Sequence, residues 1–127
     1  METAQRKRIL VADDDPEVLE LVVMELNQLG YEVLTAANGR DALKAASETK
    51  LDLVLLDVMM PFIDGYHLAS ELTSRRVDNL PRVVIMTARS TEREKGVIVA
   101  CGADGAIQKP FTMEDLQALL TRALGAA

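Results

Sequence analysis

A single cysteine, Cys101, in 127 residues excludes an intramolecular disulfide and any cysteine-built metal cluster. One free thiol suits a reducing compartment. Tryptophan is absent, and Phe62, Phe111, Tyr31 and Tyr66 are all the aromatic residues, so aliphatic side chains and methionine must fill the core. The only histidine, His67, has no second His or Cys at ligand spacing, and reads as a helix-surface residue. No apolar run approaches the length of a membrane span, and the first residues hold no apolar segment of signal-peptide length. Basic charge is not in excess either. The net charge of −6 argues against nucleic acid as a direct partner, and Arg6-Lys7-Arg8 reads as the solvated start of a strand. With no internal repeat, low-complexity stretch or linker, the expectation is one cytoplasmic domain over residues 1–127 with no membrane insertion.

What is present alternates two periods. Short apolar runs, Ile9–Ala12, Tyr31–Ala36, Leu53–Leu56, Arg82–Met86 and Ala106–Gln108, predict five strands. Between and after them lie helical stripes: Leu19, Val22, Val23 and Leu26; Ala42, Ala45 and Ala46; Leu68, Ala69 and Leu72 in a helix from Gly65 to Arg76; and Leu116, Leu119, Leu120 and Ala123. Asp15 before Pro16, Asn38 and Thr112 are N-cap candidates, and Gly30 is a helix stop. Thr91 and Glu94 have capping-box spacing for a fourth helix reaching Gly102. Gly96 and the β-branched Val97-Ile98-Val99 weaken that helix, which is expected to be the most mobile. Strands alternating with helices predict an α/β fold, a doubly wound five-stranded parallel sheet with helices on both faces. The unbroken run Leu53–Leu56 marks a central strand covered on both sides.

In such a sheet, ligands bind beyond the carboxyl ends of the strands. The residues there are Asp13 and Asp14 after the first strand, Asp57 after the third, Thr87 after the fourth and Lys109 after the fifth. Three carboxylates against one ammonium leave two negative charges at short range, an arrangement that favours a bound cation. Oxygen ligands without His or Cys suit Mg²⁺ rather than zinc. A site neutralised in this way can accept a phosphoryl group, with Lys109 and Thr87 on its oxygens and one carboxylate as nucleophile.

Asp13-Asp14, Asp57 within LLDVMMP, Thr87-Ala88 and Lys109-Pro110-Phe111 together resemble the receiver domain of two-component response regulators, over essentially the whole chain. The resemblance implies strand order 2-1-3-4-5 and a phosphorylation-dependent switch rather than a turnover enzyme. It makes Asp57 the phosphoacceptor, served by a sensor histidine kinase, a phosphotransfer protein or a small acyl phosphate. Asp14 and Asp57 would hold Mg²⁺ directly, Asp13 through water, and Met59 through its backbone carbonyl. Lys109 would pair with the phosphoryl group, Thr87 would move toward it, and Lys109-Pro110 would be a cis peptide. A downstream protein or output domain would read the face made by the fourth helix, fifth strand and fifth helix.

Two departures, and the residues at two tuning positions, qualify that pattern. Ala106 stands where the family commonly has Tyr or Phe, with no aromatic nearby to replace it, so a weaker or differently shaped switch is expected at that face. Phe62 stands where Gly is frequent, as loop packing, a partner contact or a lid beside Asp57. Met59 and Arg89 occupy the positions that tune phosphate lifetime, and a thioether cannot orient water, so slow dephosphorylation is expected. The bland reading of Asp13 and Asp14 as turn residues is outweighed by Asp57 and Lys109 at neighbouring strand ends. Competing readings are an interaction module working without phosphorylation, a haloacid-dehalogenase-like phosphatase and a flavodoxin-like nucleotide or flavin binder. The phosphatase wants a second Asp where Met59 stands. The flavodoxin-like binder wants a glycine-rich loop after the first strand, where three Asp stand instead.

Overall fold

The computed structural model describes residues 6–74 and 80–125. Five parallel strands, β1 (Arg8–Ala12), β2 (Glu32–Ala36), β3 (Leu53–Asp57), β4 (Arg82–Thr87) and β5 (Gly105–Gln108), form one sheet in the order β2-β1-β3-β4-β5. Each strand is followed by a helix: α1 (Pro16–Gln28), α2 (Gly39–Glu48), α3 (Gly65–Thr73), α4 (Lys95–Ala100) and α5 (Met113–Leu124). Arg75 and Arg76, with which the sequence closes the third helix, lie outside the described residues.

All five residues of β3 are buried, as a central strand flanked by β1 and β4 requires. Its side chains alternate. Leu53 and Leu55 face a core shared with Val22 and Leu26 of α1 and Leu116, Leu119 and Leu120 of α5. Val54 and Leu56 face the other core, with Ala42 of α2, Leu68, Ala69 and Leu72 of α3, and Cys101 just after α4. Burial of each large aliphatic side chain contributes about 1.5–3 kcal/mol, so β3 is held rigidly from both faces.

The helix starts follow local chemistry. Asp15 accepts from Glu17 N, Asn38 from Asp41 N and Asp64 from His67 N, while Thr112 and Asp115 form a reciprocal capping box. The box expected at Thr91 does not form. Residues 91–94 are turn, α4 begins only at Lys95, and its N-cap Glu94 makes no side-chain cap bond. Gly96 and three β-branched residues leave only six residues helical. Gly30 and Gly102, at φ +95° and +83°, follow α1 and α4 in the left-handed conformation that glycine adopts freely.

Candidate functional site

Strand order runs outward in opposite directions from β1 and β3, and their carboxyl ends form the crevice of the sheet. The register pairs Ala12 with Leu56, so the residues that follow, Asp13 and Asp57, emerge side by side. Backbone bonds pin both ends: Asp13 N donates to Ala36 O and Val58 N to Met86 O, each at 3.1 Å. Gly65 opens α3 directly against β3. A Cβ there would lie 2.3 Å from the carbonyl oxygen of Asp57, so only glycine permits this approach.

The side chains that the sequence predicts for the site meet here. Asp13 is fully buried, and its Oδ1 accepts from Asp15 N at 2.9 Å. Lys109 Nζ donates to Asp13 Oδ2 at 2.5 Å and to Asp57 Oδ1 at 3.0 Å. Asp14 is exposed, yet it offers a carboxylate oxygen within 4.8 Å of oxygens from Asp13 and Asp57. Thr87 is buried, and its hydroxyl accepts from Arg89 N at 3.0 Å. Lys109 N donates to Thr87 O at 2.7 Å, and Lys109-Pro110 is cis, as expected. Met59 lies on the rim with its side chain three-quarters exposed.

Electrostatics follow from the crowding. Burial pushes the Asp57 carboxyl above its usual range; the Lys109 hydrogen bond and charge pull it down, and Asp13 and Asp14 push it up. For Lys109, burial works toward a lower value, but hydrogen bonds and charges from Asp13 and Asp57 outweigh it and raise the ammonium. One cation is thus shared between two buried carboxylates while a third stands at the mouth. An oxygen-only donor set with surplus negative charge fits Mg²⁺.

The cleft, about 520 Å³, is also lined by Tyr66, Arg89 and Glu94. Tyr66 on α3 donates its hydroxyl to Glu94 Oε1 at 3.1 Å. Neither residue stands at a strand end, where the sequence places the other site residues. Their partnership spans 28 positions and two elements, so no periodicity or motif announces it. Tyr66 and Ala106 are both partly buried against the same core cluster. Phe62 is not among the residues that line the cleft. Phe62 is 68% exposed as a residue, and its ring stacks on Arg40 of α2, with the guanidinium carbon 4.1 Å from the ring centre. Its φ of +72° is a left-handed conformation that disfavours a bulky side chain.

Fold and site together define a doubly wound α/β domain with an acidic, lysine-bearing cleft at its topological switch point. Residues 9–121 match the response regulator receiver domain, and the chain belongs to that family. The alkaline phosphatase synthesis transcriptional regulatory protein PhoP of Bacillus subtilis is 36% identical over 112 residues, covering 88% of this chain and 46% of its own length. This chain therefore spans about half the length of that relative. Chemotaxis protein CheY4 of Vibrio cholerae superposes with a TM-score of 0.88 at 31% identity, covering 94% of this chain and all of that one. The receiver domain of sensor histidine kinase PA1611 from Pseudomonas aeruginosa, solved with a magnesium ion in its active-site cleft, gives 0.85 at 26% identity, covering 96% of this chain and all of that one. The chain is thus a signalling domain of the two-component type.

Proposed function

We propose that Asp57 is the phosphoacceptor of this receiver domain. The observation that carries the reading is the shared hold of Lys109 on Asp13 and Asp57 beside Asp14 and Thr87, on adjacent strand ends. An oxygen of the Asp57 carboxylate attacks phosphorus. The new P–O bond forms as the bond to the donor's leaving group breaks, whether that group is a histidine nitrogen of a kinase or phosphotransfer protein or an acyl oxygen. Lys109 neutralises a phosphoryl oxygen and the Thr87 hydroxyl donates a hydrogen bond to another. Asp14, Asp57, the Met59 carbonyl and, through water, Asp13 would hold Mg²⁺, which supplies charge neutralisation for the transferring group. The magnesium in the PA1611 receiver supports that assignment.

The domain acts as a cytoplasmic switch, and residues 1–127 form one receiver unit. Its reader is a separate protein or an attached output domain docking on α4, β5 and α5. Contact with DNA would belong to that reader, since the receiver carries a net charge of −6. The transcriptional role of the Bacillus relative, only 46% of whose length is covered, supports an attached reader. Borohydride reduces an aspartyl phosphate to homoserine. After treatment with acetyl phosphate and Mg²⁺, reduction and peptide mass mapping should place homoserine at position 57. Homoserine at another aspartate would overturn the assignment.

A further inference from the structure

The segment between β4 and α4 borders the cleft and is held at both ends by side chains. At its start, Arg89 N donates to the hydroxyl of Thr87 at 3.0 Å. At its end, Glu94 accepts from the hydroxyl of Tyr66 at 3.1 Å. Between them, Glu94 N donates to Ser90 O at 3.1 Å and closes a turn, so the two ends are linked through few free torsions. Tyr66 is a fixed post: its ring packs on the core beneath α3 and its backbone belongs to the first turn of that helix. Glu94 stands at the N-cap of α4 and makes no cap bond, its carboxylate accepting from the phenol instead. Burial and the Glu94 carboxylate push the Tyr66 phenol up to about 12, so it remains a donor throughout the neutral range.

We propose that Tyr66 is a positioning residue whose hydrogen bond to Glu94 holds the β4–α4 segment in its resting place and so sets how readily Thr87 engages a phosphoryl group on Asp57. The proposal rests on the phosphoacceptor reading of Asp57. A displacement of Thr87 toward the phosphoryl group carries Arg89 N with it, and the turn transmits the pull to Glu94. The Tyr66–Glu94 bond opposes that pull. Removing it raises the resting state relative to the engaged one, and a ligand that prefers the engaged state then binds more tightly. The device uses a ring on α3, and it needs no aromatic at Ala106.

The test is a titration of the full chain with beryllofluoride and Mg²⁺, beryllofluoride serving as the phosphoryl mimic. It compares wild type, Tyr66→Phe, Glu94→Ala and the double variant. Tyr66→Phe keeps the packed ring and deletes only the donor. Each single variant is expected to bind the mimic roughly three- to tenfold more tightly, the scale of one partly exposed hydrogen bond. The double variant is expected to bind no more tightly than either single one, because all three remove the same bond. Single variants with unchanged or weaker binding, or gains that add in the double variant, would overturn the proposal. Binding by wild type in either case leaves the Asp57 reading standing. A wild type that neither binds the mimic nor accepts phosphate would overturn both.

Discussion

Asp57 is a carboxylate that the fold makes costly to ionise without a cation. Burial raises its pKa, and although Lys109 offsets part of that, the neighbouring Asp13 and Asp14 add to it. The sign of the pH effect follows. A carboxyl whose folded value lies above its unfolded value of 3.8 binds its proton more tightly when folded. Stability from this group is present at low pH and is lost as pH rises from the ordinary carboxylate value through the raised one. In EDTA at neutral pH, Asp57→Asn should therefore melt a few degrees above wild type, with Lys109 still paired to Asp13. Melts repeated at descending pH should show that advantage shrinking as Asp57 takes up its proton. An advantage that persisted unchanged in acid would assign the effect to packing instead. Met59 makes the second residue-scale prediction. Its exposed thioether stands on the rim without a group to hold water. Met59→Asn should shorten the life of the phosphorylated form by roughly tenfold, equivalent to about 1.4 kcal/mol of transition-state stabilisation. Decay of the phosphoprotein mass with time measures it. At this scale the sequence exposes Asp13, Asp14, Asp57, Thr87 and Lys109 because each stands at a strand end. It hides Tyr66 and Glu94, whose pairing exists only after α3 and the β4–α4 segment have packed.

Among the elements, β3 and α3 are tied together by Gly65. A methyl group there would strike the Asp57 carbonyl at 2.3 Å, backbone against backbone, with no flexible side chain to give way. Gly65→Ala should cost about 1–3 kcal/mol in urea unfolding. Gly96→Ala is the contrasting case: a Cβ on Gly96 meets nothing within 4 Å, so the added helix propensity should gain up to about 1 kcal/mol. Equal effects at the two glycines would contradict the close approach. Strands and amphipathic helices were legible here because their periodicity is strong and their caps are local. The fourth helix was only partly so. Thr91 and Glu94 have the spacing of a capping box, but Gly96 and Val97-Ile98-Val99 do not extend the helix back to them, and the Glu94 carboxylate bonds to Tyr66 instead. The turn carrying Phe62 was less legible still. Its positive φ and the Arg40 stack depend on a contact between the β3–α3 loop and α2, where Gly39 N donates to Pro61 O at 3.3 Å.

At the scale of the whole molecule, alternating strands and helices imply a parallel sheet covered on both faces, whereas strand order does not follow from periodicity. Order 2-1-3-4-5 is what the resemblance to receiver domains implies, and the structure has that order. Its consequence is geometric: the reversal between β1 and β3 turns five scattered residues into one site. No helix among the described residues is long and apolar enough to cross a membrane. This site is proposed to make a metal-dependent phosphoacceptor of Asp57. The most direct measurement is intact mass after incubation with acetyl phosphate and Mg²⁺, beside an EDTA control and Asp57→Asn. One added phosphoryl group is expected, absent from both controls. An adduct that survives EDTA or the Asn substitution would contradict it. No adduct at all, together with no beryllofluoride binding, would contradict it too, and would favour a module that docks without phosphorylation.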